Sequence, residues 1–149
     1  MEFGITAGRI TRIAGGYSDA NVLGVDHGYL VNWDSATHTA SDWTSYDFDN
    51  RRIGVAISHF NGITGDNHGG FYLTGDWLGV LPPDSGAFLA HVRRMPHRAF
   101  GDAHWTPIAY PSADLTSGNT VFENNVIGIY TANGTSATNG YVATVRGHR

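Results

Sequence analysis

An all-β fold, a mostly antiparallel sandwich or barrel, follows from three features of this sequence. Apolar residues recur at every second position over short runs, those runs are separated by Asn/Gly/Asp/Ser clusters, and only one segment has a helical stripe. The 149 residues suit one domain spanning 1–149, and no linker or fixed-period repeat divides it.

The strands can be taken in chain order. Tyr29, Val31 and Trp33 alternate with Leu30 and Asn32, and Asp34-Ser35 supplies a turn. Ile53, Val55, Ile57 and His59 share one face of the next run, with Ala56 and Phe60 on the other. Phe71, Leu73 and Trp77 share a face after it. Between these two runs lies GDNHGG, with Asp66 and His68 bracketed by glycines. Asn61-Gly62 and Gly69-Gly70 offer the positive-φ positions of a hairpin loop, so Asp66 and His68 are expected to face solvent or a neighbouring subunit.

The segment at about 86–95 is expected to form the one short helix. Asp84 and Ser85 can cap it, Phe88, Leu89, Val92 and Met95 approximate a stripe, and Pro96 ends it, although the same residues also alternate as a strand. Met95 to Pro111 reads as a long ordered connection. Val126 to Tyr130 runs into Asn133-Gly134, and Tyr141, Ala143 and Val145 alternate after Asn139-Gly140. Two Asn-Gly pairs so close predict a hairpin with an elaborated loop or a very short middle strand.

Charge narrows the function classes. Charged residues are only 15% of the chain, against the roughly 25% common in soluble domains, and the formal net charge is −4. Every fixed positive charge is arginine, and the only basic pairs are Arg51-Arg52 and Arg93-Arg94. Nucleic-acid affinity rests on neutralising phosphates, so no nucleic-acid partner is expected. No apolar run reaches the roughly 18 residues of a spanning helix, and none is expected to enter a membrane. The opening residues lack a secretory h-region. Cysteine is absent, which removes disulfides, thiolate nucleophiles and Cys-type zinc sites.

Chemical motifs are sparse. His91, His97 and His104 fit no usual zinc spacing, and GDNHGG lacks the alternating oxygen ligands of a calcium loop. Asp47 and Asp49 would share a strand face, where solvation is the simpler role. No cofactor and no metal are expected. There is no G-x-S-x-G elbow, and His104 as a general base beside Asp102 rests on nearness in sequence alone, which is weak support for a site. Asn133-Gly134-Thr135 matches a glycosylation sequon but reads as a turn. Among the tryptophans, Trp33 and Trp77 are expected in the core. Trp43 and Trp105 sit in polar contexts and are candidates for an interface or ligand surface, with Asp66 and His68 beside them on that short list.

The last third, NTVFENNVIGIYTANGTSATNGYVATVRGHR, resembles the small β-rich building blocks of bacteriophage particles in its short strands and Asn/Gly/Thr turns. That resemblance implies a virion structural protein, such as a capsid decoration, head-fibre or tail component, assembled in the host cytoplasm. Its partners would be copies of itself and other structural proteins, and sparse surface charge would suit such contacts. The expectation is therefore a non-enzymatic subunit of a homo-oligomer. A glycan-binding module using Trp43 or Trp105 is the alternative, and a small hydrolase using His104, Asp102 or the GDNHGG loop is third. His68 at a subunit contact would make assembly pH-sensitive.

Overall fold

A computed structural model describes residues 2–48, 54–81, 84–97 and 99–146. Among them are eleven strands and no helix. In order these are β1 (Phe3–Ala7), β2 (Ile10–Ser18), β3 (Asp26–Asp34), β4 (Thr39–Tyr46), β5 (Val55–Gly65) and β6 (Phe71–Gly79). They continue as β7 (Ser85–Val92), β8 (Ala103–Ile108), β9 (Ala113–Phe122), β10 (Asn125–Ala132) and β11 (Thr138–Thr144). Ile53, Arg51, Arg52 and Asp49 lie outside the described residues.

Eight strands form one sheet in the order β1-β2-β3-β5-β6-β7-β8, with β4 also pairing β3. Pairing is antiparallel except for a single parallel bridge, Asp26 to Ile57, between β3 and β5. The sheet does not close into a barrel, because β1 and β8 remain its two ends. Its inner face holds one core: Ala14, Leu30, Tyr46, Phe60, Leu73, Trp77 and Phe88, joined by Phe48 and Phe100 from connecting segments. Phe60 and Phe88 meet edge to face at 5.8 Å, an arrangement favoured by the ring quadrupoles.

A second sheet, β11-β10-β9, packs on the outer side of β5, β6 and β7 and completes the sandwich. Leu89, Val121 and Val126 make its smaller core, with Tyr72, Ile108, Tyr141 and Val145 around them. Two glycines let the backbones approach. A Cβ on Gly62 would lie 2.9 Å from Thr120 Cα, and one on Gly118 would strike the Thr74 hydroxyl. A polar clamp crosses the same seam: Asp76 accepts from the Asn61 amide at 2.7 Å and from the Gly118 N–H at 2.9 Å.

Several expectations change here. The segment expected as a helix at about 86–95 is strand β7. Phe88, Ala90 and Val92 enter the first core while Leu89 enters the second. A strand buried on both faces loses its polar alternation and so imitates a helical stripe. Met95 to Pro111 contains β8, whose Pro107 is tolerated on an end strand. Asn61-Gly62 lies inside β5 at a register shift, so the strand runs on to Gly65. A second shift between Val55 and Ile57 changes phase, which lets Val55 and Phe60 both pack on the core. Asn139-Gly140 is interior to β11, so the hairpin has an elaborated loop rather than a middle strand.

Candidate functional site

The GDNHGG stretch is a hairpin loop, with Asn67 and Gly69 at φ of 63° and 89°. Asp66 organises it. Its Oδ1 accepts the N–H groups of His68 and Gly70, both at 2.8 Å, in an Asx-type turn. Its Oδ2 meets His91 Nε2 at 2.9 Å, and only 7% of the Asp66 side chain is exposed. Burial works against the charge, but His91 and the two amides outweigh it, and the carboxyl is held below its usual range. Asp66 therefore does not face solvent as expected. His68 does.

The partner, His91, was singled out in the sequence only for zinc spacing. It stands on the outer face of β7 with the Tyr72 ring stacked on it at 4.5 Å. His104 is its register neighbour on β8. The two imidazoles border a cleft of about 750 Å³ between the sheets, which Asp102, Arg93, Glu123 and Arg146 also line. Asp66 holds one ring nitrogen of His91 and with it the orientation of the imidazole. Among the described residues no hydroxyl group hydrogen-bonds the His91 or His104 ring, and no three of His, Asp and Glu converge to hold a metal ion. Asp102 and His104, two positions apart, line the cleft without a hydrogen bond between them.

The tryptophans divide differently from expectation. Trp77 is in the core, but Trp33 is half-buried on the outer face, stacked with His38. Trp105, a candidate for an interface or ligand surface, is half-buried against Phe60 and Phe88 at 6.0 and 4.8 Å. Its polar neighbours in sequence fall on the opposite side of β8, which is why composition misplaced it. Trp43 is 55% exposed and keeps its candidacy.

A third feature had no signal beyond the turn pattern. The outward face of β9–β11 carries Leu115, Phe122, Ile127, Ile129 and Val142, each at least 37% exposed. Ile127 lies between Thr120 and Val142 across the strands, and Ile129 lies between Ser117 and Gly140. No charged residue occupies a paired position on that face.

No protein-family model matches this sequence, and no curated protein or solved structure matches it either.

Proposed function

We propose that the chain is a non-enzymatic structural subunit that assembles with copies of itself, as bacteriophage particle proteins such as decoration or tail components do. The observation that carries this reading is the neutral apolar face of β9–β11. Large apolar patches on a surface mark contact sites. Ile127 and Val142 form a cross-strand pair at its centre, with Phe122 and Leu115 towards opposite ends of β9. An isologous contact sets a patch against itself, so a charge near its centre would face its own copy. A neutral face avoids that repulsion and is self-complementary, which favours a second copy as occupant over a charged partner. The face is sheet-like, and sheets pack face to face at about 10 Å with interdigitated side chains.

The test is sedimentation velocity at micromolar concentration on the wild type and on an Ile127→Asp/Val142→Asp double variant. The expected outcome is a multimer that the double variant turns into a monomer with an unchanged circular dichroism spectrum. Both side chains point outward, so the fold tolerates the change. A monomeric wild type, or a variant that assembles equally well, overturns the reading.

A further inference from the structure

Away from the second sheet, the outer face of β2, β3 and β4 gathers aromatic rings into a corner. Tyr17 on β2 is the register partner of His27 on β3, and Tyr29 on β3 that of Ser45 on β4. Trp43, two residues from Ser45, shares that face by alternation, and an irregularity follows directly on its N-terminal side. Between the pairs Leu30–Thr44 and Asn32–Ser41 the β4 strand carries an extra residue. Asp42, at φ 60°, makes the bend. Its carboxylate accepts from the Asn32 amide at 2.9 Å and the Ser41 hydroxyl at 3.1 Å. A positive φ on a non-glycine residue is unfavourable, and bulges of this kind re-aim side chains.

The result is a supported ring. Trp43 lies on Tyr29 with centroids 4.3 Å apart and planes 11° from parallel. Tyr29 is itself 5% exposed. Gly15 makes room beneath, since a Cβ there would sit 2.9 Å from the Tyr29 ring. One indole face is therefore covered and the other is open. Tyr17 stands edge-on to Trp43 at 5.6 Å and 66°, forming a second wall, and its hydroxyl is 2.7 Å from Ser45 Oγ. Beyond Tyr17, His27 pairs with Asp47 at 2.6 Å and faces Asp19 at 3.8 Å.

We propose that this corner is a saccharide-binding site in which the open face of Trp43 stacks on a neutral pyranose. A sugar ring presents a flat patch of C–H groups that suits an apolar face, and hydroxyls that suit the rim formed by Ser45, the Tyr17 hydroxyl and Asp47. The ring is held in place before binding, so little conformational freedom is lost on contact. The carboxylates of Asp19 and Asp47 beside it disfavour phosphate and acidic sugars. The site lies on the first sheet and stands or falls independently of assembly through β9–β11.

Isothermal titration with maltotetraose, cellotetraose and chitotetraose tests the proposal, with 3′-sialyllactose and choline as contrasting ligands. The expected result is saturable binding of at least one neutral tetrasaccharide at millimolar concentration, weakened about tenfold by Trp43→Ala. Asp47→Asn, a change at an exposed rim position, also weakens it and guards against a folding defect in the first variant. No binding of any neutral tetrasaccharide, binding unchanged in both variants, or preference for choline or the sialylated sugar overturns the proposal.

Discussion

Asp66 and His27 illustrate opposite uses of a carboxylate–imidazole pair. Asp66 is held below its usual range, so its contribution to stability is present above the unfolded carboxyl value of about 3.9 and is lost as pH falls through the lower folded value. Asp66→Asn is expected to cost about 1–3 kcal/mol at neutral pH and to flatten the acid limb of the stability curve, measured by urea unfolding at several pH values. An unchanged acid limb would mean the loop holds without its carboxylate. For His27 the bond to Asp47 is the main cause of a raised pKa, against partial burial and with help from Asp19. Its stabilisation is complete below the ordinary value of about 6.5 and fades as pH rises through the higher folded value. Thermal unfolding from pH 6 to 9 is expected to show a loss that Asp47→Asn reduces; identical profiles would count against the pair. The motif GDNHGG contained Asp66 and its turn, but its partner His91 lies 25 positions away, joined only through the β6–β7 pairing.

At the scale of elements, the seam between β5 and β9 depends on residues without side chains. Gly62→Ala would set a Cβ against the Thr120 backbone, where nothing flexible can move aside. We expect a loss of about 1–3 kcal/mol, read as a lower urea midpoint with an unchanged slope. Full stability in that variant would show that the two sheets are not in contact there. The clamp of Asn61, Asp76 and Gly118 lies beside it, and Tyr141 adds a hydroxyl donated to the Ser117 carbonyl at 3.1 Å. Burial, with Asp76 nearby, pushes the Tyr141 phenol up to about 12, so it stays a donor across the neutral range. Asn61-Gly62 looked like a turn because the pair favours positive φ. In the fold it serves close approach instead, a use of glycine that local sequence does not distinguish from a turn.

Over the whole molecule, two unlike surfaces point away from each other in chemistry. The β9–β11 face is neutral and apolar, which suits self-contact, and its disruption by Ile127→Asp/Val142→Asp is the expectation for assembly. The β2–β4 corner is aromatic with a carboxylate rim, which suits a polyol. Alternation and Asn/Gly/Asp turns were enough for an all-β chain, for the hairpin around residues 66–70 and for the place of Trp77 in the core, because these depend on neighbours two to ten positions apart. They did not suffice for β7, whose two buried faces erase the alternation, nor for Trp43 and Trp105, which look alike in sequence. Strand phase decides both: Trp43 keeps the outward phase of Ser45 and stacks on Tyr29, and Trp105 turns inward onto Phe88. Register and the stacking of one sheet on another are long-range properties, and they alone place His91 beside Asp66 and leave the apolar face of β9–β11 uncovered.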